Sequence, residues 1–305
     1  MSFRGLLAYP ITPLTPDGAP DLGALATLVR SAGAAGVDAV TVLATSGAGV
    51  TFAPEERDAV VRAAVEAAAT SPTGPMPVNV AVSSVSTEAV VRAARAARGA
   101  GAAGLVLAPF SYLPLDDAEV VALFAAVADA VDLPVCFYNK PLQTGYDVSP
   151  DVLARLAEAT RVTAVKDPAS LPARPDGRAE ELRAALHGLS VDVGLSGDVA
   201  LLDGAPAADA WHSGLAALAP EEYVTVRRER STGARTRGGE QARRWLLDVA
   251  RELAAARPVS GLHALATSLG TPTAPPRGPS LPATPDVAAS MRALVARRPV
   301  GAPAT

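Results

Sequence analysis

Val162-Thr163-Ala164-Val165-Lys166-Asp167-Pro168 holds a short apolar run that ends abruptly in a lysine, an acid and a proline. The run is too short for a helix and carries no polar face, as expected of a strand over residues 162–165 that is buried on both sides. Seven runs of the same kind lie at residues 5–8, 39–43, 78–82, 104–108, 135–138, 191–195 and 209–212. The stretches between them, such as residues 54–69 and 87–97, place apolar residues at three and four residue spacing and read as helices. Strands alternating with helices predict βα units around a parallel sheet. No Gly-x-Gly-x-x-Gly turn follows the first run, and eight units match closure. We therefore expect an α/β fold, a (β/α)8 TIM barrel over residues 1–220, rather than an open doubly wound sheet.

Local signals agree with this reading. Ser149-Pro150-Asp151 supplies an N-cap, a first-turn proline and an acid on the helix dipole, and Ala53-Pro54-Glu55-Glu56 repeats the last two. Beyond Pro220 the strand signal stops. Residues 221–257 read as helix interrupted by a turn-rich patch at 231–239, residues 259–269 as a further helix, and 286–296 as a last helix after the Pro-rich connector 271–285. Residues 221–305 are thus expected to form a C-terminal helical extension. Its arginines alternate with acids and glycines, the pattern of a solvated face rather than a polyanion site.

The chain has a net charge of −4, which supplies no field for nucleic acid or anionic lipid. Its N-terminus carries neither a signal-peptide core nor an apolar stretch long enough to span a membrane, so a cytoplasmic location is expected. One cysteine, Cys136, excludes an internal disulfide framework, and three scattered histidines without thiol partners give no metal site. Neither a metal nor another cofactor is expected.

The 27 basic residues include only two lysines, Lys140 and Lys166. A coding bias toward arginine replaces lysine where either cation serves. It does not replace a lysine whose amine reacts, because guanidinium stays protonated. In a TIM barrel the residues that finish the strands line the site. Here these are Thr45 and Ser46 within Ala44–Gly49, Phe110-Ser111-Tyr112, Tyr138-Asn139-Lys140, Lys166-Asp167 and Ser196-Gly197-Asp198. Lys166 follows an apolar run and is expected in a dry interior, where desolvation favours the free amine able to attack a carbonyl. Tyr138 is placed to move protons beside it. Thr45 and Ser46, in a small-residue turn, offer backbone N–H groups to a carboxylate. Lys140 is the rival nucleophile, although Asn139 and Pro141 around it read as a more open loop.

Together these residues closely resemble the family of dihydrodipicolinate synthase and N-acetylneuraminate lyase, from the first strand to the C-terminal helices. Tyr138-Asn139-Lys140-Pro141-Leu142-Gln143-Thr144-Gly145 is similar to the family's Tyr-Asn-x-Pro-x-x-Ser/Thr-Gly, Val165-Lys166-Asp167 to the motif around its Schiff-base lysine, and Ser196-Gly197-Asp198 to its Ser-Gly-Asp. The resemblance implies a pyruvate-type imine on Lys166 with Tyr138 as proton-shuttling phenol and Thr45 relaying. It also implies a homodimer or homotetramer. Ser46, Ser111, Gln143, Gly197 and His212, with Thr45, are expected around the substrate.

Several positions depart from the family pattern. The loop Ala44–Gly49 keeps the hydroxyl pair but lacks the first glycine and the acid. Gln143 stands where dihydrodipicolinate synthases grip the second substrate with an arginine, and a neutral amide does not replace a charge-assisted fork. Phe110-Ser111 occupies the place of a relay tyrosine, and Ala217 that of an asparagine. The expected activity is a class I, metal-independent aldolase or lyase acting on pyruvate or a related 2-oxo acid, with an aldehyde as second partner. Dihydrodipicolinate synthesis, sugar-acid dehydration through the same imine, and a catalytically inactive barrel serving as a ligand sensor are the alternatives.

Overall fold

Each apolar run forms a strand in a computed structural model of the chain, which describes residues 3–171 and 177–299. The strands are β1 (Gly5–Ala8), β2 (Ala39–Val42), β3 (Val78–Ala81), β4 (Gly104–Leu107), β5 (Val135–Tyr138), β6 (Val162–Pro168), β7 (Asp192–Ser196) and β8 (Ala210–Ser213). They pair in parallel, in sequence order, and close β8 onto β1 through Leu7 opposite His212. This is the expected (β/α)8 TIM barrel.

Helices α1 (Leu22–Ala35), α2 (Pro54–Ala69), α3 (Thr87–Gly99), α4 (Asp117–Ala130), α5 (Pro141–Thr144), α6 (Pro150–Ala159), α7 (Arg178–Ala185) and α8 (Asp198–Asp203) follow the strands, and α9 (Pro220–Thr232) packs on α1 and β1. The Ser149 side chain caps α6 by accepting from Val152 N, as its sequence predicts. Helices α10 (Arg237–Ala255), α11 (Pro258–Ser268) and α12 (Pro285–Val295) complete the C-terminal helices. The interruption between α9 and α10 is shorter than the sequence implies. Gly233 ends α9 in the left-handed region at φ 73°, and Thr236 caps α10 by accepting from Gly239 N, so Arg237 to Gly239 already belong to its first turn.

Strand β6 departs from its expected limit. The ladder runs past Val165, pairing Lys166 with Gly194, Asp167 with Leu195 and Pro168 with Ser196. Lys166 and Asp167 look like a strand end because they are charged, yet both are buried within the strand. Alternation explains how this is tolerated: Lys166 points into the barrel, while Asp167 points outward and accepts from Asn139 Nδ2 at 2.7 Å.

Both faces of the strands are buried, but side-chain size alternates. Outward positions such as Leu6, Val40, Val80, Leu105, Phe137, Val165, Val193 and Trp211 join the large core beneath the helices. Inward positions are mostly small: Ala39, Ala81, Cys136, Ala164 and Ala210. This sparse filling leaves room inside the barrel for Tyr9, Tyr138, Lys166 and His212.

Candidate active site

Register sets the first relationship in the site. Tyr138 on β5 is paired with Lys166 on β6, so their side chains leave adjacent strands on the same face. The Lys166 Nζ lies 4.0 Å from the Tyr138 ring centroid and 3.7 Å from that of Tyr9, held between two aromatic faces. Lys166 is only 5% exposed. Burial pulls its pKa down, the charge of Lys140 acts in the same direction, and the Tyr138 phenol opposes both. For Tyr138, burial pushes the pKa up, but the Lys166 and Lys140 charges, with hydrogen bonds from Thr45 and Lys166, outweigh it and bring the phenol down to about 7. The two groups therefore titrate as a pair, the amine shifted down by burial and the phenol brought down by the neighbouring cations.

A hydrogen-bonded chain leads from this pair to the cavity mouth. Thr45 Oγ1 sits 3.4 Å from Tyr138 Oη and accepts from Lys140 Nζ at 3.0 Å. Lys140 is half-buried at the rim and Lys166 is deep in the barrel, which separates the two candidate nucleophiles by environment. The backbone around Lys140 is fixed on both sides. Asn139 Nδ2 donates to Asp147 and Asp167, each at 2.7 Å, and the Lys140 carbonyl accepts from Gln143 N and Thr144 N, each at 3.0 Å.

The loop after β2 carries backbone strain and is pinned from outside. Leu43 and Ala48 both hold positive φ, 62° and 48°, a conformation costly for residues with a Cβ. Ser46 Oγ donates to the Tyr9 carbonyl at 2.7 Å, Thr12 Oγ1 to the Gly47 carbonyl at 2.9 Å, and Arg57 to the Gly49 carbonyl at 2.7 Å. Gly49 allows the turn to close, since a Cβ there would stand 2.0 Å from the Leu43 carbonyl oxygen. Ala44 and Ala48, the departures in this loop, are thus compensated by contacts from flanking elements. The Ser46 hydroxyl proton is thereby used within the protein.

Sequence reading did not single out the partnership of Tyr9 with His212. Tyr9 Oη and His212 Nδ1 are 2.7 Å apart beneath Lys166. Burial raises the Tyr9 pKa well above its ordinary value, and burial followed by the Lys166 charge lowers that of His212, so the pair is a neutral phenol and a neutral imidazole. With the phenol donating to Nδ1, the ring proton sits on Nε2, a buried atom with no hydrogen-bond partner among the described residues. Alternation along β1 provided the missing signal, since Tyr9 has the same inward parity as Leu7.

The remaining predicted residues divide. Thr45, Ser46, Gln143, Gly197 and His212 line one cavity of about 410 Å³ together with Lys166 and Tyr138, whereas Ser111 does not line it. Asp198, also at its wall, is held by hydroxyls of Ser213 and Tyr223. The far wall is apolar and comes from α10 and α11, including Leu253, Val259 and Leu262. Among the described residues no cluster of three or more His, Cys, Asp or Glu could hold a metal ion, and no helix is long and apolar enough to cross a membrane.

Comparison with known proteins matches this arrangement to the dihydrodipicolinate synthetase family over residues 2–298. The chain is 35% identical over 200 residues to the 4-hydroxy-tetrahydrodipicolinate synthase of Alkalilimnicola ehrlichii, covering 65% of this chain and 67% of that protein. It is also 35% identical over 165 residues to the synthase of the same name from Thiobacillus denitrificans, and spans about half of that relative, 54% of each chain being covered. The crystal structure of dihydrodipicolinate synthase from Agrobacterium tumefaciens superposes with a TM-score of 0.86 at 30% identity, covering 97% of this chain and 98% of that one. With the barrel, the strand-six lysine and the strand-five tyrosine in place, the chain belongs to the dihydrodipicolinate synthetase family.

Proposed function

We propose that the protein is a class I, metal-independent aldolase or lyase acting on pyruvate or a related 2-oxo acid through an imine on Lys166. The observation that carries this reading is the buried Lys166 amine, with its lowered pKa, held 4.0 Å from the ring of Tyr138. A neutral amine adds to the ketone carbon, and the oxygen leaves as water after proton transfers that Tyr138 is placed to make. The protonated imine withdraws electrons from the neighbouring carbon, which loses a proton to give an enamine. The enamine carbon attacks an aldehyde, and water then releases the product and restores the amine. Cleavage is the same sequence reversed. Thr45 links Tyr138 to the rim, and in this reading the substrate carboxylate is met by N–H groups of the loop after β2.

Dihydrodipicolinate synthesis is a second reading, supported by the names of the relatives. The uncharged Gln143 in the cavity weighs against it. A family tendency to oligomerise supports a homodimer or homotetramer.

Exchange of the pyruvate methyl protons for deuterium, followed by NMR, tests the imine and enamine steps without an aldehyde. Exchange with wild-type protein and none with Lys166→Arg is expected. Equal exchange with both proteins overturns the reading.

A further inference from the structure

We propose that Lys140 is the anion-recognising residue of this cavity and that the aldehyde partner of the Lys166 imine carries a carboxylate of its own. The inference rests on the imine reading above and specifies its second substrate.

An ammonium has three donors. One from Lys140 goes to Thr45 Oγ1 at 3.0 Å. Among the described residues no carboxylate forms an ion pair with Lys140, and the one carboxylate lining the cavity, Asp198, is occupied by Ser213 and Tyr223. Among the described residues, two of its donors therefore remain for a ligand. Solvation does not explain the placement by itself, because the side chain turns inward to Thr45 from a backbone clamped by Asn139 and by the start of α5. Gln143, on the same short helix, lines the same cavity without a charge.

Both amines stand near one aromatic ring and line one cavity. The Lys140 and Lys166 Nζ atoms lie 5.6 and 4.0 Å from the same ring centroid, that of Tyr138. A short aldehyde attacked at the imine-derived carbon can thus extend its carboxylate to Lys140, while its aliphatic body faces Ala250, Leu253 and Ala254 of α10 and Pro258, Val259 and Leu262 of α11. Lys140 is also linked to Tyr138 through Thr45, so a purely proton-relaying role is the competing account. That role is indifferent to acceptor charge, and this difference defines the test.

Turnover with pyruvate is measured with glyoxylate and with glycolaldehyde, two small aldehydes of which only the first bears a carboxylate, for wild type, Lys140→Met and Lys140→Arg. The expected result is a wild-type preference for glyoxylate that falls about tenfold to a hundredfold in Lys140→Met, as for loss of a hydrogen bond to a charged group. Lys140→Arg retains the preference, and in each variant the adduct that borohydride traps with pyruvate still maps to Lys166. An equal fall for both aldehydes, or an unaltered preference, overturns the proposal. If the wild type traps no pyruvate, the imine reading fails separately, and calorimetric titration with succinate decides the anion site. Succinate binding lost in Lys140→Met sustains it, and equal binding to both proteins overturns it.

Discussion

Tyr138 and Lys166 are register partners on β5 and β6, and the lysine amine rests 4.0 Å from the tyrosine ring centroid inside the barrel. The pair proposed to react is thereby fixed by strand pairing rather than by loops, which limits how far either group can drift. Position on a rigid element is what an imine-forming site requires, since attack and proton transfer must use one geometry.

Removing the phenol oxygen tests the proton-transfer role. Tyr138→Phe keeps the ring against Lys166 and is expected to lower turnover by about 10² to 10⁴-fold with little change in stability. Thr45→Val, which cuts the link between Lys140 and Tyr138, is expected to act in the same direction more weakly. Steady-state kinetics beside urea unfolding separates lost chemistry from lost fold, and full activity in Tyr138→Phe contradicts the role.

The pH dependence has a definite sign. Burial and the Lys140 charge lower the Lys166 pKa, and the charges and hydrogen bonds around Tyr138 bring its phenol down to about 7. As pH falls the pair takes up a proton, and the free amine or the proton acceptor is lost. The rate of imine formation should therefore fall on the acid side, with an apparent pKa belonging to the pair. Because Lys140 pushes both groups toward deprotonation, Lys140→Met should move this acid limb to higher pH. A stopped-flow pH profile measures the shift, and a downward move would contradict the electrostatics.

Inside the barrel, Gly194 on β7 faces His212. An added Cβ would lie 2.1 Å from Nε2, so Gly194→Ala must displace the imidazole and with it the bond to Tyr9. A loss of about 1–3 kcal/mol is expected from such overpacking, together with reduced turnover. Urea denaturation of the variant checks the first part, and unchanged stability would show that His212 is not confined.

Lys166 carries an energetic cost that the fold tolerates. Lys166→Met fills the same space without a group that must be desolvated, so it should leave stability unchanged or raise it by up to about 2 kcal/mol while abolishing turnover. A large drop in the urea midpoint would mean that the amine is a structural tie instead.

Much of this architecture is legible in the residues themselves. Eight short apolar runs locate the eight strands because strands buried on both faces need no polar alternation, and Ser149 marks the start of α6 through its capping hydroxyl. Lys166 stands out through the scarcity of lysine. What escapes is long-range: that β6 continues through two charged residues depends on partners supplied by β7 and by Asn139. The Tyr9 and His212 contact joins residues 203 positions apart, brought together only by barrel closure. Ser111 falls outside the cavity although its strand is correctly placed, because strand position alone does not direct the loop that follows.

Borohydride reduction in the presence of pyruvate, followed by peptide mapping by mass spectrometry, is the most direct measurement of the central claim. The account predicts one stable adduct, located on the peptide containing Lys166 and absent when pyruvate or borohydride is omitted. Adduct on Lys140, or an unmodified and folded protein, would contradict it.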